Sequence, residues 1–334
     1  MIYNNFEIHN AGALIEHENG GVTWLRASEK AFDAMSDGGK AQAAGSTGVE
    51  LRFVMLDDEI TLKMQCLSEG KSLSTFQIYY GGIQGGWECH ELDKFISSDV
   101  CTFTIKKPKN METLKRMSVD AGLDFSPEVI RIIFNRGQIR VLGIEGNVRP
   151  PKKEELPKNM LLCYGSSITH ASNSYTQPDG WVSVVAHNIN YDVMNKGFAG
   201  NCRMEPEVVD YIAGLDFDMA ILELGINVRS WPREKAYEHA KYTIKTVAGK
   251  GKPVFVISPF YNNEDYKDGG TQSNMWREVL GTICEELSYP NVTYINGLDL
   301  LGDMSLISAD EIHPSIYGSR QIAQRLTEII KSGL

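Results

Sequence analysis

Apolar and polar positions follow two different rhythms along this chain. Over the first 150 residues the apolar positions come in short alternating runs, at 49–54, 60–64 and 101–105. A period of two is that of a strand with one buried face. Residues 129–134 and 138–144 are two more such runs, separated by Asn135-Arg136-Gly137, and the pair predicts a hairpin. Turn-forming residues collect between runs, at Asp37-Gly38-Gly39, Gly81-Gly82 and Gly85-Gly86. Many short strands with Gly-rich turns predict an antiparallel accessory domain over residues 1–150, a β-sandwich of jelly-roll type. The stretch Gly81 to Gly86 lacks G-x-G-x-x-G spacing and a following helix, so it reads as turn chemistry and not as a nucleotide loop.

Residues 150–157, Pro-Pro-Lys-Lys-Glu-Glu-Leu-Pro, read as a stiff, solvated boundary. Beyond it the rhythm changes. Apolar runs at 160–163, 191–194, 219–224, 254–257 and 292–295 have the length of buried strands. Between them, apolar residues recur at helical spacing, as at Trp181, Val182, Val184, Val185 and Ile189. Helices are predicted at 206–213, ended by Gly214, from Pro232 to Gly249, at 272–287, and from near Pro314 onward. Five strands alternating with helices over 158–334 predict an α/β domain with a parallel sheet covered on both faces.

With 334 residues, 42% hydrophobic and 23% charged, the chain is long enough for two ordinary globular domains. A net charge of −10 repels phosphate backbones and argues against a nucleic-acid partner. No apolar stretch approaches the roughly 20 residues that cross a bilayer. The first residues, Met1-Ile2-Tyr3-Asn4-Asn5-Phe6-Glu7, have no basic patch followed by an apolar core, which leads to the expectation of a cytoplasmic protein. The six cysteines, Cys66, Cys89, Cys101, Cys163, Cys202 and Cys284, form no C-x-x-C pair, so reduced thiols are expected and neither a disulfide framework nor a zinc site. No metal-ligand spacing is present, and no cofactor is expected. The oligomeric state is left open.

The chemistry collects where strands end. Gly165-Ser166-Ser167 follows the first strand of the second domain, and Asn195 to Asn201 the second. Gly225-Ile226-Asn227 follows the third, and Asp310-Glu311-Ile312-His313-Pro314 precedes the last helix. In a parallel sheet these turns share one edge, the edge where ligands bind. A serine hydroxyl is a poor nucleophile until a base takes its proton. His313 can act as that base, and Asp310, three positions earlier, can orient the imidazole. Gly200, Asn227 and the Ser167 backbone can offer N–H groups to an oxyanion, each typically worth about 3–4 kcal/mol of barrier. Ser166 is the alternative nucleophile, and a Ser-rich turn capping the next helix is the non-catalytic reading.

This set resembles the SGNH (GDSL-type) hydrolases, named for Ser, Gly, Asn and His from four sequence blocks. On that resemblance Ser167 is the nucleophile, Gly200, Asn227 and the Ser167 N–H form the oxyanion hole, and Asp310 and His313 are the terminal acid and base. Gly165-Ser166-Ser167-Ile168-Thr169, Gly197-Phe198-Ala199-Gly200-Asn201 and Glu205-Pro206-Glu207-Val208 look most like a bacterial esterase branch that often carries an amino-terminal β-sandwich. The resemblance implies a three-layer α/β/α, flavodoxin-like domain over 158–334. It also implies a serine esterase removing short acyl groups, often acetyl, from a carbohydrate or other small alcohol. Two positions depart from the pattern. Ser166 stands where the family usually has Asp, and Val228 stands where a second Asp usually follows the asparagine. Neither carries the proton relay.

Further positions fall on or near the same edge. His170 reads as a packing residue with a catalytic alternative, Trp181 as core, and Tyr175, Arg203, Arg229 and Trp231 as pocket candidates. Glu285-Glu286 and Lys152-Lys153 read as solvated faces. An α/β-hydrolase would need G-x-S-x-G, and here the last position is Thr169. The rival from another class is a carbohydrate-binding protein with a degenerate hydrolase domain, which an intact Ser167, Asp310 and His313 set disfavours.

Overall fold

The computed structural model describes residues 1–68, 74–86 and 95–333, so Cys89 lies outside the described residues. The chain divides into two compact units. One holds Met1–Glu29 and Ala43–Lys158, and the other holds Lys30–Gln42 and Asn159–Leu334.

The first unit is built from antiparallel sheets. One runs through Phe6–His9, Glu50–Met55, Val129–Phe134 and Ser74–Tyr80. The other runs through Cys101–Lys106, Glu59–Cys66, Ile139–Glu145, Val22–Leu25 and Ala13–Glu16. Leu51, Phe53 and Ile132 of the first sheet share one apolar cluster with Trp24, Leu62 and Val141 of the second. At the start of the strand Glu50–Met55, Glu50 is a buried carboxylate that accepts from Arg52 Nε at 2.7 Å and from Arg131 Nη2 at 2.6 Å.

Two expectations are corrected here. Residues 129–134 and 138–144 do not form a hairpin. Val129–Phe134 pairs with Glu50–Met55 on one side and Ser74–Tyr80 on the other, whereas Ile139–Glu145 pairs in the second sheet. Nearly every residue of Val129–Phe134 is buried, which calls for a central strand. With both its edges occupied, the turn at Gly137 hands the chain to the other sheet. Asp37-Gly38-Gly39 is not a turn but opens a helix, Asp37–Ala43. Ser36 caps it, its hydroxyl accepting from the Gly39 N–H at 3.2 Å.

The second unit has five strands: β1 (Met160–Gly165), β2 (Asp192–Gly197), β3 (Met219–Glu223), β4 (Val254–Ile257) and β5 (Val292–Ile295). All pair in parallel, in the order β2-β1-β3-β4-β5, which is the flavodoxin-like order. Helices Trp181–Ile189, Pro206–Gly214, Arg233–Ala248, Thr271–Leu287 and Ile316–Gly333 connect and cover the strands. Leu161, Cys163, Ile221 and Ile257 of the sheet meet Trp181, Val185, Ile322 and Leu326 of the helices in one buried cluster. Each such aliphatic side chain contributes about 2 kcal/mol by leaving water. From β1 the chain steps outward to β2, then crosses back to β3 on the other side. That reversal opens a crevice at the carboxyl ends of β1 and β3, the usual ligand position in open α/β sheets.

Candidate active site

The turn after β1 is held from behind. Ser166 is buried; its N–H and its hydroxyl both donate to Glu223 Oε2, at 2.8 and 2.7 Å. The same hydroxyl accepts from the Ile168 N–H at 3.1 Å, and Thr169 Oγ1 donates to Glu223 Oε2 at 3.0 Å. Ser166 is therefore fully used inside the fold, and Ser167 alone faces outward, half-buried. The chain does not enter a helix here; residues 167–173 are consecutive turns. Gly165 is required by space, since a Cβ there would lie 2.2 Å from Thr169 Oγ1 and 2.7 Å from Glu223 Oε2.

His313 meets Ser167 from a loop 146 residues away in sequence, with Nε2 at 2.8 Å from Ser167 Oγ. Its Nδ1 lies 2.9 Å from Asp310 Oδ2. A carboxylate facing Nδ1 places the ring proton there, so Nε2 presents its lone pair to the hydroxyl. Asp310 Oδ1 accepts from the backbone N–H of Ile312 at 3.0 Å and of His313 at 2.9 Å. Burial pushes the Asp310 carboxyl up, but these N–H groups and the imidazole outweigh it and hold the group at about 2. The loop is pinned by Ser308 N–H to His313 O at 2.8 Å, and Glu311 sits in the left-handed region at φ 65°. For a residue with a side chain that conformation is costly, and it is what lets Asp310 fold back onto His313.

Gly200 and Asn227 lie on the neighbouring loops. Gly200 has φ 70°, while a Cβ there would meet nothing within 4 Å. Its backbone conformation, not crowding, calls for glycine. Asn227 sits in the short turn Ile226–Val228 after β3, and its Oδ1 accepts from the Cys202 N–H at 3.0 Å. That bond ties the Gly200 and Asn227 loops together and fixes the amide, so Nδ2 is the end left to donate. Asn201, beside Gly200, accepts from Ser36 Oγ at 2.9 Å. A Cβ on Gly38 would come within 2.9 Å of the same Asn201 side chain. Lys30–Gln42 thus packs directly on the Gly200 loop.

The other singled-out residues divide. His170 is buried, with Nδ1 at 3.0 Å from Gly197 O, so it braces the β1 turn against the β2 loop. Trp181 is core, its indole N–H donating to Ile168 O at 3.1 Å. Arg229 donates to Asn262 Oδ1 at 3.0 Å and to Asn263 Oδ1 at 3.1 Å, so it ties loops together. Tyr175 is 81% exposed, and Arg203 is exposed. Trp231 lies 4.8 Å from the His239 ring, with Lys235 Nζ 4.2 Å over its own ring. Glu286 pairs with Lys241 at 2.9 Å on the surface, and Lys152 and Lys153 are exposed. A small recess beside Ser167 and His313 is lined by Ile168, Ala171, Asn173, Trp181 and Pro314. It has room for little more than one water-sized group.

Glu223 is the site residue that sequence reasoning missed. Burial raises its pKa, while the Ser166 and Thr169 donors act the other way. Its signal was a charged residue inside an otherwise apolar strand.

A β2-β1-β3-β4-β5 parallel sheet that gathers Ser, Gly, Asn and His on loops at its carboxyl edge defines an ester hydrolase of the SGNH type. The chain belongs to the GDSL-like lipase/acylhydrolase family, whose model matches residues 158–331. A search of curated proteins found no match. Among solved structures, the chain is similar to the salicylyl-acyltransferase SsfX3 from a tetracycline biosynthetic pathway. The TM-score is 0.79 and the identity 16%, over 99% of this chain and 95% of that one. It is also similar to a family two carbohydrate esterase from Clostridium thermocellum, with a TM-score of 0.61 and 16% identity, over 98% of each chain. At such identities the likeness is one of fold. Among the described residues no helix is long and apolar enough to cross a membrane.

Proposed function

We propose that the protein is a serine esterase that removes short acyl groups, acetyl in the first instance, from a carbohydrate or other small alcohol. The catalytic machinery is assigned to the α/β part of the chain, residues 158–334, with 1–150 as an accessory domain. The observation that carries the reading is the 2.8 Å approach of His313 Nε2 to Ser167 Oγ, with Asp310 at 2.9 Å behind the ring.

Ser167 Oγ attacks the ester carbonyl as His313 takes its proton. The resulting oxyanion is met by the N–H groups of Ser167 and Gly200 and by Asn227 Nδ2. His313 then gives its proton to the leaving alcohol, which frees the acyl-enzyme. Water, deprotonated by His313, attacks the acyl carbon and restores Ser167. An alcohol in place of that water would receive the acyl group, so the same machinery supports transfer. The recess beside Ser167 and His313, lined by Ala171, Trp181 and Pro314 and by the polar Ser172, Asn173 and Ser319, is small, which supports a short acyl group.

The test is Ser167→Ala with p-nitrophenyl acetate, together with fluorophosphonate labelling of the wild type. The variant is expected to fold, to lose turnover and to resist the label. Near wild-type turnover in a folded variant would refute the assignment. A panel of p-nitrophenyl esters should show acetate as the best substrate, and a preference for longer acyl chains would remove the recess argument.

A further inference from the structure

We propose that Glu223 is a positioning residue: acting through Ser166, it turns the backbone N–H of Ser167 outward as an oxyanion donor. This inference rests on the esterase reading above.

The hydrogen bonds of the turn carry it. The Ser166 N–H donates to Glu223 Oε2 at 2.8 Å, and the Ile168 N–H donates to Ser166 Oγ at 3.1 Å. The Thr169 N–H also faces Glu223, and the His170 N–H donates to Ser166 O at 2.9 Å. Every neighbouring N–H is therefore turned inward. The Ser167 N–H has no acceptor among the described residues, and it belongs to the residue whose hydroxyl meets His313. Satisfying the flanking donors from inside leaves only the middle one able to meet developing negative charge. Glu223 Oε2 takes three of the turn's side-chain and backbone donors at 3.0 Å or less, in a fully buried place. It ends β3, four residues before Asn227, so one short segment anchors two parts of the oxyanion hole.

The same geometry explains why position 166 is serine. An aspartate here would set a second carboxylate against Glu223 Oε2, where the serine hydroxyl now sits at 2.7 Å. Two buried carboxylates that close cannot both be ionised. Ser166 and Glu223 are thus a matched pair, and Gly165 leaves the room they need.

The experiment uses the full chain and p-nitrophenyl acetate, with folding followed by circular dichroism. Glu223→Ala and Ser166→Ala are expected to lower kcat about 30-fold or more, with KM within about threefold, because a misaimed donor is lost in the transition state and not in substrate binding. Glu223→Gln keeps an oxygen that accepts the same donors, and it should recover kcat to within about fivefold of wild type. Should Glu223→Ala fail to fold, Ser166→Ala decides, since it removes one hydroxyl only. A folded Ser166→Ala with wild-type kcat would overturn the inference, as would a Glu223→Gln no faster than a folded Glu223→Ala. Ser167→Ala in the same assay separates the two levels. If it keeps turnover, the esterase reading fails; if it is inactive while Ser166→Ala is unaffected, only the role of Glu223 fails.

Discussion

Replacing Asp310 by asparagine should cost more than removing a charge, because the loop dictates which way the amide faces. Oδ1 accepts two backbone N–H groups, from Ile312 at 3.0 Å and His313 at 2.9 Å. An amide oxygen can keep both bonds, which puts the NH2 opposite His313 Nδ1. The ring nitrogen there must then accept, so its proton moves to Nε2, the atom facing Ser167 Oγ. A protonated Nε2 cannot take the serine proton. Flipping the amide to rescue the tautomer gives up two backbone bonds, at about 1 kcal/mol each, so the productive form falls to roughly one part in 30. Loss of the carboxylate also removes support for the imidazolium formed in the transition state. The Asp310 side chain is 46% exposed, so solvent screening limits that support to about 2 kcal/mol, roughly another 30-fold. Together these give a loss of about a thousandfold in kcat/KM, close to the roughly 10⁴ seen when such a relay is set in the wrong tautomer. The assay is p-nitrophenyl acetate hydrolysis at neutral pH, with Asp310→Ala alongside. A folded Asp310→Asn within tenfold of wild type would sink the relay, and one faster than Asp310→Ala would sink the tautomer argument.

Three further outcomes can be measured directly. Asn227→Ala removes the proposed oxyanion donor and the acceptor for the Cys202 N–H, so kcat should fall about 10²–10³-fold while fluorophosphonate still labels Ser167, more slowly. Glu50→Ala removes the buried carboxylate that Arg52 and Arg131 share and should cost about 3–5 kcal/mol, read as a lower unfolding temperature. In the wild type, burial opposes the Glu50 charge, but Arg131 and then Arg52 overcome it and hold the carboxyl far below its usual range. A depressed folded-state pKa stabilises above the unfolded value and loses that effect as pH falls. The melting temperature should therefore decline from about pH 4.5 downward, and Glu50→Gln should flatten part of that decline. An acid limb identical in both proteins would count against it.

The α/β half was readable because its strands are short apolar runs that nothing else explains, and all five fall within a few residues of where the pattern places them. The four loops were readable for a related reason: Ser167, Gly200, Asn227 and His313 each follow or close a recognisable element. What the pattern lacked was partnership. Val129–Phe134 and Ile139–Glu145 are strands, as predicted, but alternation along a strand carries no label for which sheet receives it. Asp37-Gly38-Gly39 looked like a turn because two glycines weaken a helix by about 1 kcal/mol each. The helix forms there all the same, with Gly38 close against Asn201. Glu223 was hidden inside a strand, since the donors that make its burial tolerable come from 54 to 57 residues earlier. Arg149, just before the stretch 150–157 read as a solvated boundary, pairs with Glu155 inside it at 2.5 Å and braces it.

Because Lys30–Gln42 belongs to the α/β unit while the chain on either side belongs to the other, the polypeptide visits that unit twice. The linear stretch that announces the family, 158–331, and the physical body that it helps to build are consequently different sets of residues. A gene fragment cut at the proline-rich boundary would encode Ser167, Asp310 and His313 yet leave behind the piece that clasps Asn201.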